Sequence, residues 1–258
     1  MTLAALLFLA SSTVAEPPPQ APLPLDATVL VQKLEAAVKA QNGAEIERVT
    51  RVLVVLGPRA KKVLAKEVAR KDSPILPQVL GALGRMAPEM RVMAKPLLAS
   101  PDARVRAMAV DAIDGADPGV LPGALSHETD PAIRMAIVSS LGNGDDASST
   151  SALCQMLSSN DSKMRVKALE GLLVRHDKRS LSEVHGALRD PSTAVRRAAV
   201  RVVASLHDKS SVGPLIGLAS LETSKKTLDT VFAALEDITG QRFGHDLGAW
   251  KKWLASDS

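Results

Sequence analysis

One helical pattern, repeated at a period near thirty residues, limits what this chain can fold into. An apolar residue at a start position is followed four, seven and eight places later by small or apolar residues: Ile75, Val79, Ala82, Leu83; Val105, Ala109, Ala112, Ile113; Ile133, Ile137, Ser140, Leu141; Met164, Ala168, Gly171, Leu172; Val195, Ala199, Val202, Val203. The starts advance by 30, 28, 31 and 31 residues. A regular period of that length means stacked supersecondary units, each burying its apolar stripe against its neighbours.

A second series runs out of phase, with apolar or small residues at spacings of zero, three and four: Leu121, Ala124, Leu125; Leu153, Met156, Leu157; Val184, Ala187, Leu188; Leu215, Leu218, Ala219. Each unit therefore holds two helices. Neither series shows the period-two alternation of a strand, so the fold class is all-α, an α-solenoid. Ser73-Pro74, Ser100-Pro101, Asp130-Pro131 and Asp190-Pro191 each precede a first helix, where Pro is tolerated and Ser or Asp caps. Between the two helices an Asp recurs as Asp117, Asp145, Asp177 and Asp208, placed to accept the free N–H groups opening the second helix.

The runs Asp102-Ala-Arg-Val-Arg-Ala-Met-Ala, Asp130-Pro-Ala-Ile-Arg-Met-Ala and Asp190-Pro-Ser-Thr-Ala-Val-Arg-Arg-Ala-Ala resemble the Asp-Pro-x-x-x-Val-Arg-x-x-Ala signature of short bacterial HEAT repeats. The resemblance is good from about Ser73 to Ser220. A degenerate unit before it holds Val49, Val52, Leu53, Leu64 and Val68, with Glu45 at the start position, and Val231, Ala234 and Leu235 fit a last first helix. About seven two-helix units are expected. The helix around Leu30, Leu34, Ala37 and Val38 would close one end. At the other, residues 239–258 would form a C-terminal cap: Gly240 and Gly244 permit turns, Asp246 caps, and Trp250 and Trp253 pack back. That tail resembles the Phe-Gly-x-Asp…Trp-x-x-Trp endings of exported bacterial HEAT proteins.

Residues 1–15 read as a signal peptide. Leu3 to Ala10 is too short a run to span a membrane, and Ser11 to Ala15 are small enough for cleavage before Glu16, although no Lys or Arg precedes the run. Export to the periplasm or outside the cell is the expectation, with no stable membrane insertion after cleavage. Residues 16–25 form a Pro-rich tether and 26–258 the solenoid. The single Cys, Cys154, cannot make an internal disulfide and is read as a packing residue.

The net charge of +4 is modest, but Arg59, Lys61, Lys62, Lys66, Arg70 and Lys71 gather on or beside one helix, opposed by Glu67 and Asp72. In HEAT proteins second helices usually line the concave side, and the positions two after each second-helix start are Lys66, Lys95, Gly123, Gln155, Gly186 and Gly217. A groove basic at one end and small-lined at the other suits an acidic or extended protein partner, or an anionic polymer. The candidate binding residues are Arg59, Lys62, Lys66, Arg70, Lys95 and Gln155. Nucleic acid is disfavoured because no aromatic residues interleave with the basic ones. Arg106, Arg134, Arg165 and Arg196 share one place in four successive units, three with an Asp four residues earlier (Asp102, Asp130, Asp161), and are read as structural braces.

Catalytic signatures are sparse. HEAT-like hydroxylases hold two irons with repeated His-Glu pairs, and this chain has only His127-Glu128. No His-Glu-x-x-His, phosphate loop or nucleophile elbow occurs. His176-Asp177-Lys178 and His207-Asp208-Lys209 stand at equivalent turns, with the Asp residues already employed as caps, a poor metal site. The sequence reading is a non-catalytic exported scaffold with no cofactor and no metal. Its rival is a HEAT-like enzyme such as a bilin-chromophore lyase.

Overall fold

The computed structural model describes residues 26–258 except Lys71, Gly115, Pro118, Asp145 and Ser258. The expected signal peptide and tether, Lys71 of the basic run and the Asp145 cap thus lie outside the described residues.

Helix α1 (Ala27–Lys39) is followed by seven helix pairs: α2 (Gly43–Leu56) with α3 (Lys61–Ala69), α4 (Leu76–Leu83) with α5 (Pro88–Arg91), α6 (Ala103–Ile113) with α7 (Val120–His127), α8 (Pro131–Leu141) with α9 (Ala147–Met156), α10 (Ser162–Arg175) with α11 (Leu181–Ala187), α12 (Thr193–Leu206) with α13 (Val212–Ala219), and α14 (Lys225–Thr239) with α15 (Leu247–Asp257). No strand occurs among the described residues. First helices stack on first helices from α2 through α14, which makes the molecule an α-solenoid. The second pair departs from regular helix: α5 is one turn, continued by a 3-10 segment, Val92–Ala99, that contains Pro96. Proline has no N–H to give and its ring clashes with the carbonyl four residues back, so the α ladder cannot run through it.

The first-helix series forms the core as its spacing predicts. Every residue of it is buried except Val105, which is half-buried. The second series is buried less evenly, with Ala124, Met156 and Leu157 only partly covered. Backbones approach most closely between α8 and α10: a Cβ on Gly142 would stand 2.9 Å from the Cα of Gly171. Both ends are closed by apolar plugs. Leu30 and Leu34 of α1 are fully buried at one end. At the other, Gly240 and Gly244 take positive φ, the Asp246 carboxylate accepts the Ala249 N–H at 2.9 Å, and the fully buried Trp250 donates its indole N–H to the Gly244 carbonyl at 3.0 Å.

Capping follows the expected chemistry with several changes of residue. Asp102, Asp130 and Asp161 accept the N–H groups of Arg104, Ala132 and Lys163 at 2.8, 2.8 and 2.9 Å. Ser100, expected as a cap, instead takes the Asp102 N–H on its hydroxyl, and the Ser73 hydroxyl donates to the buried Glu67. Asp190 does not cap α12 either, because the N-cap is Ser192. Asp177 and Asp208 cap the short 3-10 turns that lead into α11 and α13. The Asp117 expectation is corrected: the N-cap of α7 is Gly119, without a side-chain cap, and the Asp117 backbone carbonyl accepts the Val120 N–H. In α9 the cap is Asp146, which accepts the Ser149 N–H at 2.8 Å.

Candidate functional site

The row read from the sequence as groove-facing is exposed at every position. Lys66, Lys95, Gly123, Gln155, Gly186 and Gly217 all lie open to solvent on the second helices. Clefts open between successive second helices along this face. One of about 570 Å³ is lined by Lys95, Arg106, Gly123 and Glu128; one of about 390 Å³ by Arg134, Ser151 and Gln155; one of about 510 Å³ by Arg196, Gly217, Leu221 and Glu222.

Among the sequence-predicted binding residues, Arg59, Lys62 and Lys66 are exposed and none has an ion-pair partner among the described residues. Lys95 is exposed in the next unit. Arg70 differs: its guanidinium reaches Glu35 of α1 at 3.2 Å, and Glu67 and Asp72 at 3.8 Å, so it ties α3 to the N-terminal cap. Gln155 lies apart from that basic group, in the cleft between α7 and α9.

Three of the four equivalent arginines brace the array through other carboxylates than the spacing suggested, and Arg134 through backbone carbonyls. Asp102, Asp130 and Asp161 are occupied as helix caps. Arg106 instead grips Glu128 at 2.8 and 3.1 Å, Arg165 grips Asp190 at 2.7 and 2.8 Å, and Arg196 grips Glu222 at 2.7 and 3.0 Å. These are bidentate pairs, and both partners are largely buried. Each of the four arginines also donates from Nη1 to the backbone carbonyl six residues earlier: Ser100, Glu128, Ser159 and Asp190. Those carbonyl residues occupy one register position, and the carboxylates among them are the ladder's acids. Glu128 thus receives Arg106 on its side chain and Arg134 on its backbone, and Asp190 joins Arg165 to Arg196 in the same way. Glu222 is held down to about 2, chiefly by its bonds from Arg196; Glu128 is lowered, chiefly by Arg106. Burial pushes Asp190 upward, and the bonds from Arg165 and the Ser192 N–H outweigh it.

Other candidate groups serve the framework. His176 and His207 end α10 and α12 in the left-handed conformation, at φ 50° and 46°, and both side chains are exposed. His207 meets Asp237 at 2.8 Å, and Lys178 bridges to Asp208 at 3.1 Å. Among the described residues no group of three or more His, Cys, Asp or Glu side chains could hold a metal ion, and no helix is long and apolar enough to cross a membrane. Burial pushes the half-buried Cys154 thiol up to about 11, so it is protonated at neutral pH and a weak nucleophile.

Paired helices, first-on-first stacking and an arginine–acid ladder between units define a two-helix repeat solenoid. This chain belongs to the HEAT-repeat family: the family model for HEAT repeats matches residues 92–173 and 150–236. An archaeal HEAT-like repeats protein from Thermococcus onnurineus NA1 is similar in structure, with a TM-score of 0.56 at 13% identity over 86% of this chain and 99% of that one. An engineered protein gives 0.53 at 18% identity, over 86% and 71%. At these identities the likeness is one of fold. No curated protein matches the sequence.

Proposed function

We propose that this chain is an exported, non-catalytic HEAT scaffold that binds a protein partner, acidic or extended in character, along the face formed by its second helices. One observation carries the reading: the row Lys66, Lys95, Gly123, Gln155, Gly186 and Gly217 is exposed in six successive units, with clefts opening between the second helices beside it. A repeat array presents such a face as a continuous surface, and glycine in it lets a backbone approach closely. The basic end, with Arg59, Lys62, Lys66 and Lys95, favours an acidic segment over nucleic acid, for which stacking aromatics would be needed. The carboxylates described above are engaged in caps, ladder pairs and surface ion pairs, which supports a binding role over a catalytic one.

Reversing Lys62, Lys66 and Lys95 to Glu tests this reading. The triple variant should stay folded and lose association with the partner identified by cross-linking, and raised salt should weaken the wild type in the same direction. Unchanged binding and salt dependence would remove the basic end from the interface. Export is tested separately by N-terminal sequencing of protein from its host, which should begin at or near Glu16; an intact Met1 or Thr2 would oppose it.

A further inference from the structure

The ladder has one place where the acid is missing. Aligned on the arginines, the turn position that opens each unit holds Ser100, Glu128, Ser159, Asp190 and Glu222. In all five, a side-chain oxygen accepts the N–H two residues on, so Ser and acid serve the turn alike. They differ in what they offer the preceding unit. Ser100 follows a unit with Leu76 in the arginine place, and so has no guanidinium to meet. Glu128, Asp190 and Glu222 each follow a unit with an arginine and neutralise it. Ser159 also follows an arginine, Arg134, and brings no charge to it.

Arg134 accordingly has no carboxylate partner among the described residues. Its Nη1 donates to the carbonyls of Leu125 and Glu128 at 3.1 and 3.0 Å, and its Nη2 faces the Met156 sulfur at 3.7 Å, a weak acceptor. Asp130, four residues earlier, is spent on the N–H groups of Ala132 and Ile133. The guanidinium is half-buried in the floor of the 390 Å³ cleft between α7 and α9. Ser151 and Gln155 stand exposed at its wall with no side-chain hydrogen bond to the rest of the chain among the described residues, free to bind a guest. A partly desolvated cation without its counter-charge is costly unless an anion is supplied from outside.

We infer that Arg134 receives an Asp or Glu side chain of a bound polypeptide, which completes the ladder in the place that Asp190 completes it for Arg165, with Gln155 and Ser151 hydrogen-bonding the same segment. The inference rests on the scaffold reading and specifies it. The basic row leads an acidic chain past Lys66 and Lys95, across the open backbone at Gly123, to this cleft, and the clefts on Arg106 and Arg196 are already neutralised from within.

The test is a titration of the full chain, carrying ¹³C-methyl methionine, with an acetylated and amidated octapeptide of alternating Gly and Glu, its Gly/Gln counterpart serving as the neutral control. The Met156 methyl resonance should shift saturably with the Glu peptide in the millimolar range or below and hardly with the Gln peptide. Ser159→Asp, which restores the spacing of Arg165 to Asp190, should weaken binding by about tenfold or more, with thermal stability unchanged or raised. Arg134→Gln should weaken it similarly, and Ser158→Asp, of equal charge on an exposed neighbour, should change it by less than about twofold. Equal binding by Ser159→Asp and wild type overturns the inference. So does a Met156 shift produced as well by inorganic phosphate or free glutarate as by the peptide. Peptide binding that vanishes in the Lys62, Lys66 and Lys95 triple variant without ever moving Met156 overturns the inference and leaves the scaffold reading standing.

Discussion

Arg165 of α10 holds Asp190, at the turn before α12, through two parallel bonds of 2.7 and 2.8 Å, and the backbone carbonyl of Asp190 in turn receives Arg196 at 2.8 Å. One aspartate thus fastens two arginines, one from its own unit and one from the unit before. Stacked helices could slide along their apolar stripes with little change in buried area; bidentate ion pairs at three of the joints fix their register. The pair is 11% and 9% exposed, so its loss should be felt as an uncompensated charge rather than as a missing surface contact.

Asp190→Ala should therefore destabilise the fold by about 3 kcal/mol in urea denaturation. Adding Arg165→Met should recover part of that loss, giving a coupling energy above about 1 kcal/mol. Additive single effects would mean the pair is screened and the register is held by packing alone.

Glu222 gives a pH prediction with a definite sign. Its folded value lies near 2, below the ordinary carboxylate value of 4.5, so its contribution is fully present above about pH 4.5 and is lost as pH falls through about 2. The lowering corresponds to about 3 kcal/mol at neutral pH. Urea titrations from pH 6 to pH 2 should show the wild type losing stability over that window, and Glu222→Gln should be weaker at pH 6 with a flatter profile. Parallel profiles would contradict the ladder's electrostatics.

Two glycine substitutions separate packing from propensity. Gly142→Ala places a methyl 2.9 Å from the Gly171 Cα and 3.2 Å from the Ser139 carbonyl, so it should cost about 2 kcal/mol. Gly186→Ala, with nothing within 4 Å, should stabilise α11 by about 0.5–1 kcal/mol. Thermal denaturation of both would contradict the described α8–α10 approach if the two shifts had the same sign.

Ala168, fully buried at the centre of the first-helix series, tests the repeat register. Ala168→Asp buries an unpaired charge and should cost about 4 kcal/mol or abolish folding. A loss below about 1 kcal/mol, by the same denaturation assay, would mean the stripe is assigned to the wrong face.

The repeat architecture was legible in the sequence because a stacked unit must repeat its apolar stripe, and Val195, Ala199, Val202 and Val203 are buried where that stripe predicts. The exposed row from Lys66 to Gly217 followed from the same register. The ladder's partners were not legible from helical spacing. Asp161 lies one turn before Arg165, but its carboxylate satisfies the Lys163 N–H, and the arginine reaches across the joint to Asp190, 25 residues on. Helical side chains lean toward the N-terminal turn, which carries Nη1 back to the carbonyl six residues earlier and aims the fork at the next unit. Aligning the units on the arginines reveals those acids in one column, and Ser159 as the serine in it that follows an arginine. Asp117 was misplaced for a simpler reason: the residue at the N-cap of α7 is Gly119, and no side chain caps that helix.

The central claim, that the second-helix face is where a partner protein docks, is tested most directly by site-specific photo-cross-linking in the native host. Photoreactive residues at Lys95, Gly123, Gln155 and Gly186 would be compared with equally exposed first-helix positions Arg104, Glu170 and Arg201. The account predicts one discrete adduct, of the same mass and identity, from the second-helix positions and none from the others. Adducts confined to Arg104, Glu170 and Arg201, or none from either set, would contradict it.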